Sequence, residues 1–130
     1  MTQDQRKYNR RRVSEYFIVV DQLTNRKIGG IFDMSADGMM VITEYRVDVP
    51  LICACRMDLP TKVLDCDQLE FCIEAKWSRK SDLTGVYEVG FQFIHLTDRQ
   101  KELIQVILDK WTVEEVDEEH PKVYTPDPES

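Results

Sequence analysis

Leu69-Glu70-Phe71-Cys72-Ile73-Glu74-Ala75-Lys76-Trp77 decides the fold class. Leu69, Phe71, Ile73, Ala75 and Trp77 occupy alternate positions, with Glu70, Cys72, Glu74 and Lys76 between them. Side chains of a strand alternate between two faces, so the stretch reads as a strand with one apolar face and one wet face. The next apolar stretch repeats the pattern. Tyr87, Val89, Phe91 and Phe93 alternate with Glu88, Gly90 and Gln92. Strands of this kind suit an antiparallel sheet, which can leave one face to water.

Four more strands precede these two. Tyr16-Phe17-Ile18-Val19-Val20 is rich in β-formers. Thr24-Asn25-Arg26 makes a turn into Lys27 to Phe32, where Gly29 and Gly30 suggest a bulge or a close backbone approach. Asp33 to Gly38 reads as a turn, and Met39 to Thr43 as a third strand. Pro50 and Pro60 bracket a fourth, Ile52 to Leu59. Ser78 to Gly85 is a polar connection. After the sixth strand, Thr97 and Gln100 match a capping box, and Asp98 suits the positive end of a helix. Leu103, Ile104, Ile107, Leu108 and Trp111 then form a stripe at helical spacing, read as core packing over one end of the sheet.

The fold expected is all-β: a small six-stranded antiparallel β-barrel with a C-terminal α-helix. Closure removes exposed strand edges. Residues 1–12 read as a flexible basic arm, 13–112 as barrel plus helix, and 113–130 as an acidic tail, disordered or loosely attached from about residue 117.

At 130 residues the chain has room for one core. No apolar run approaches the roughly 18 residues of a membrane span. The polar start, Met1 to Lys7, has no apolar signal core behind it, so a cytoplasmic location is expected. The cysteines, Cys53, Cys55, Cys66 and Cys72, should then be reduced. Their spacing does not match paired zinc ligands, and they read as buried or half-buried thiols. Neither His95 nor His120 comes with a nucleophile partner, and phosphate-loop and dinucleotide glycine patterns are absent. No enzymatic activity, metal or cofactor is expected.

Charge is distributed unevenly on a net charge of -7. Arg6, Lys7, Arg10, Arg11 and Arg12 crowd the start, and Glu114, Glu115, Asp117, Glu118 and Glu119 crowd the end. A cationic patch on an acidic protein favours a small anion over a long polyanion, which would be repelled elsewhere. Arg6 and Arg10 stand four residues apart, and each guanidinium fork matches phosphate oxygens or the O6/N7 edge of guanine. Taken alone, the arm reads equally as a solvated tail or a nucleic-acid patch. Asp33-Met34-Ser35-Ala36-Asp37-Gly38 adds short acceptors that either fix a turn or read a base edge. Asp33 could accept from guanine N1–H and N2–H2. Gly38 would supply a positive φ or a close approach.

Arg6-Lys7-Tyr8-Asn9-Arg10 resembles the RxxxR motif of PilZ domains, and Asp33 to Gly38 resembles their [D/N]xSxxG motif. Trp77, the closing strand Val89-Gly90-Phe91-Gln92-Phe93 and the helix after Leu96-Thr97 extend the similarity over roughly residues 5 to 112. The resemblance implies a receptor and adaptor for cyclic di-GMP that regulates a protein partner. It implies a ligand site formed by Arg6, Arg10, Arg11, Asp33, Ser35 and Gly38. Asn9 stands where the family often has proline, and the basic run continues through Arg11 and Arg12. Alternatives are a PilZ-fold interaction module that senses nothing, working through helix and tail, and a nucleic-acid binder, which the net charge disfavours.

Overall fold

The computed structural model describes residues 10–115. Eight strands and one helix follow in order: β1 (Arg11–Val13), β2 (Ile18–Asp21), β3 (Lys27–Met34), β4 (Gly38–Thr43), β5 (Leu51–Val63), β6 (Cys66–Lys80), β7 (Tyr87–Ile94), α1 (Asp98–Trp111) and β8 (Thr112–Glu115). All pairings are antiparallel. Six strands close in the order β2-β5-β6-β7-β4-β3, with β3 returning to β2. This is the six-stranded barrel with one helix that the alternation pattern calls for. Its inward faces make one core, including Val19, Val41, Cys55, Met57, Ile73 and Val89.

The two extra strands come from segments read above as arm and tail. β1 pairs with the end of β3, Arg11 opposite Met34 and Arg12 opposite Asp33. β8 then pairs with β1. Sequence periodicity missed both because strands of three and four residues are too short to show alternation. Pairing with a neighbour, not local preference, makes them strands.

Bulges correct the simple alternation at three places. Ile28 is the extra residue where β3 passes β2, Phe32 where β3 passes β4, and Lys76 where β6 passes β7. A bulge shifts every later side chain to the opposite face. Trp77 is therefore not on the core face with Leu69 to Ala75. It lies opposite Gly90, outside the barrel, and is 39% exposed. Gly90 has no side chain because the Trp77 indole fills that space. Strand β5 also runs past Pro60, but its ladder to β6 breaks between Asp58 and Val63. Proline has no N–H for the ladder, so the strand continues while the pairing lapses.

The helix begins as its capping box dictates. Thr97 Oγ1 accepts from Gln100 N at 3.1 Å, and Thr97 N donates to Gln100 Oε1 at 2.7 Å. All five stripe residues, Leu103, Ile104, Ile107, Leu108 and Trp111, are buried. Gln100 Nε2 donates to the Glu70 carbonyl at 2.7 Å, which ties the first turn to β6. At the other end Trp111 packs edge-on against Phe17, centroids 6.0 Å apart, and Ser14 N donates to the Trp111 carbonyl at 2.8 Å. The helix thus spans one end of the barrel, from the β5–β6 hairpin to the bend between β1 and β2. No helix among the described residues is long and apolar enough to cross a membrane.

Candidate functional site

The Phe32 bulge sets up the site. Before it, Ile31 pairs with Val41 and both are buried in the core. After it, Asp33 pairs with Met40, placing its carboxylate on the outer face of the barrel wall. Asp33 is nevertheless only 2% exposed. Arg10, immediately before β1, lies against it, and Arg10 Nη2 donates to Asp33 Oδ2 at 2.8 Å. Burying a carboxylate is costly unless it is paired, and this contact helps to offset that cost for Asp33. It joins two motifs separated by 23 positions in the chain. The pairing also orients the Arg10 guanidinium, whose side chain remains 29% exposed.

The turn from β3 to β4 comes next. It is shorter than the Asp33-to-Gly38 turn of the sequence reading, because Asp33 and Met34 belong to β3 and Gly38 opens β4. Ser35 is buried, and its Oγ accepts from Asp37 N at 3.1 Å and Gly38 N at 3.3 Å. Ser35 N donates to the Gly38 carbonyl at 2.9 Å, and Phe93 N donates to the Asp37 carbonyl at 2.9 Å. The serine therefore fixes the turn from inside. Gly38 does not have a positive φ; the described glycine with one is Gly85. Gly38 is needed for a close approach instead: a Cβ there would collide with the Phe91 carbonyl oxygen of the neighbouring strand.

Arg11 and Arg12 part ways because neighbours in a strand face opposite sides. Arg12, opposite Asp33, places its guanidinium over the Phe32 ring at 4.0 Å. Arg11 turns the other way, and its Nε donates to Thr112 Oγ1 at 2.6 Å at the end of the helix. Thr112 Oγ1 in turn donates to the Leu108 carbonyl. Of the residues expected at the site, the structure brings Arg10, Asp33, Ser35 and Gly38 together and sets Arg11 on the helix side. Arg6 lies outside the described residues.

The register carries the outer row further than the motifs do. Arg12, Asp33, Met40, Gly90 and Trp77 lie abreast on β1, β3, β4, β7 and β6. Arg79 approaches the Trp77 ring at 5.3 Å and pairs with Glu88 at 2.7 Å. The row sets Arg12 at one side, an exposed aromatic at the other, and Asp33, Met40 and Gly90 between. Sequence reasoning quoted Trp77 but placed it on the wrong face. The signal was Gly90, a small residue among bulky β-formers. Among the described residues no cluster of three or more His, Cys, Asp or Glu could hold a metal.

The fold is a small closed barrel capped by a helix, with a buried aspartate paired to an arginine on its outer wall. The PilZ domain family model matches residues 4–110, and the chain belongs to that family. No curated protein matches it in sequence. Solved structures share its fold at low identity. The inhibitor of motility of Bacillus subtilis (MotI/DgrA) is 12% identical with a TM-score of 0.64, over 83% of this chain and 51% of that one. The PilZ domain of Escherichia coli YcgR with c-di-GMP is 14% identical, with a TM-score of 0.57 over 82% of this chain and 91% of that domain. YcgR in complex with c-di-GMP gives 14% and a TM-score of 0.63, over 82% of this chain and 45% of that one. The chain thus spans about half the length of MotI/DgrA and of that YcgR chain.

Proposed function

We propose that the chain is a cyclic di-GMP receptor and adaptor, binding the ligand on the outer wall around Arg10, Asp33, Ser35 and Gly38. Membership of the PilZ family and the c-di-GMP held by the YcgR PilZ domain support the reading. The observation that carries it is the 2.8 Å contact between Arg10 and Asp33, which unites the two motifs at one place. The guanidinium fork suits the ligand's phosphates and the O6/N7 edge of its guanines. The carboxylate suits the guanine N1–H and N2–H2 donors. Ser35 and Gly38 hold the turn close enough for that contact. Arg6, the other half of the RxxxR motif, would add a second fork. Arg11 would contribute mainly by anchoring the arm to the helix end. The chemistry calls for no metal, cofactor or catalytic step. Ligand binding would reorder the arm and present a changed surface to a protein partner in the cytoplasm.

Calorimetric titration with cyclic di-GMP tests the reading. Binding at about 1 μM or tighter, worth about 8 kcal/mol, is the expected result. A wild-type chain that shows no binding ends the proposal.

A further inference from the structure

The thiols of Cys53 and Cys55 form a pair that the ligand site does not use. The two residues alternate along β5 and face inward with Met57, and their sulfurs are 3.5 Å apart. The other two cysteines are placed elsewhere. Cys72 pairs with Ala54 and so points to the opposite side of the wall. Cys66 sits at the far end of the β5–β6 hairpin, its sulfur near Arg99.

Access to the pair runs one way. Cys55 is fully buried, whereas Cys53 is half-buried. Cys53 lines a cavity of about 350 Å³ at the end of the barrel away from the helix, with Ile28, Thr43, Tyr45, Val47 and Leu51. A small molecule entering there meets the Cys53 sulfur first, with the Cys55 sulfur directly behind it. Either sulfur can donate in the bond between them; with Cys55 as donor it holds the Cys53 thiol below its ordinary value despite partial burial. The same bond, together with burial, pushes the Cys55 thiol up. The accessible sulfur is therefore the one favoured as thiolate, the nucleophilic form.

We propose that Cys53 and Cys55 are a peroxide-oxidisable dithiol that closes to a reversible disulfide within β5. The Cys53 thiolate attacks a hydroperoxide, an S–O bond forms and the O–O bond breaks. This gives Cys53 sulfenic acid and an alkoxide or hydroxide that takes a proton. The Cys55 sulfur then attacks the sulfenic sulfur, the S–S bond forms, and the sulfenic oxygen leaves as water with the Cys55 proton. The two thiols lose two electrons in all, and the peroxide accepts them.

The strand geometry makes the product labile. Residues two apart in a strand are separated by about 6.6 Å at Cα, near the upper limit for a disulfide. Closing the bridge must pucker β5 where it meets β2. That seam is short: Val20 and Asp21 opposite Arg56 and Cys55, with Gln22 bonded to the Ala54 and Cys55 carbonyls. Strained bridges are the easily reduced ones, as a reversible device requires.

Peptide mapping of the reduced full chain after hydrogen peroxide is the test. The tryptic peptide 47–56 carries both cysteines. It should lose the mass of two hydrogens, stop taking up iodoacetamide and regain uptake after dithiothreitol. Cys53→Ser should abolish this change. Because Cys53 packs against the core, a Cys66→Ser/Cys72→Ser variant, which keeps only the pair, serves as a second arm and should still form the bridge. Peptide 47–56 remaining fully alkylated while Cys66 or Cys72 is oxidised would overturn the proposal. So would a Cys53 linked to any other cysteine, or one that goes on to sulfinic acid without a bridge.

Discussion

The β3–β4 and β5–β6 hairpins of this barrel are closed by different devices. Between β5 and β6 the backbone does the work. Leu64 and Asp65 both have positive φ, 50° and 67°, which suits a two-residue turn twisted to match its strands. Arg99 from the helix donates to the Leu64 carbonyl. Between β3 and β4 side chains do the work. Ser35 holds two backbone N–H groups, Gly38 lets β7 come close, and Asp33 is buried against Arg10 just before the turn. The β5–β6 hairpin reverses the chain and meets the helix. The β3–β4 hairpin keeps polar groups buried at a surface, a costly arrangement that folding alone does not demand. The contrast sets the β3–β4 turn apart as the place of the proposed site.

Substitutions can break or sharpen this contrast. The largest effect belongs to Arg10→Ala. Losing charge-assisted bonds of about 1.5–3 kcal/mol each should weaken cyclic di-GMP binding more than tenfold in calorimetry. Arg11→Ala, on the helix side, should weaken it distinctly less; equal losses would break the assignment of the two arginines to opposite faces. Gly38→Ala drives a Cβ into the Phe91 carbonyl and should cost about 1–3 kcal/mol of stability in urea unfolding, with weaker binding as well. Ser35→Ala removes one acceptor for two N–H groups and should cost about 1 kcal/mol, with hydrogen exchange rising at Asp37 and Gly38. The smallest effect lies in the other hairpin. Leu64→Gly should stabilise the fold by up to about 1 kcal/mol by relieving a leucine at positive φ, and leave ligand affinity unchanged. A loss of affinity there would erase the distinction between the two turns.

What the sequence offered of the candidate site was a set of residues, not their arrangement. The Asp33-to-Gly38 pattern could be read because short polar residues and glycine have few other uses in a row. That Gly38 is needed for proximity to β7, and not for a positive φ, depends on a strand some fifty positions later. The sequence assigned Arg10 and Arg11 to one site and left Arg12 as a continuation of the basic run. Strand β1 separates them, and that strand exists only through its neighbours β3 and β8.

What the sequence determined by itself is the set of local periodicities. Period-two alternation, together with β-forming stretches bounded by turn residues, specified six strands, and the Thr97–Gln100 box with its apolar stripe specified one helix. These signals are local because a strand or helix selects its side chains by its own repeat. Tertiary structure decided the faces. The bulges at Phe32 and Lys76 put Asp33 and Trp77 on the outer wall. Pairing turned the end of the arm into β1 and bound it to the helix end. A bulge is one residue of mismatch between two strands, so its position is a property of the pair and cannot be written in either strand alone.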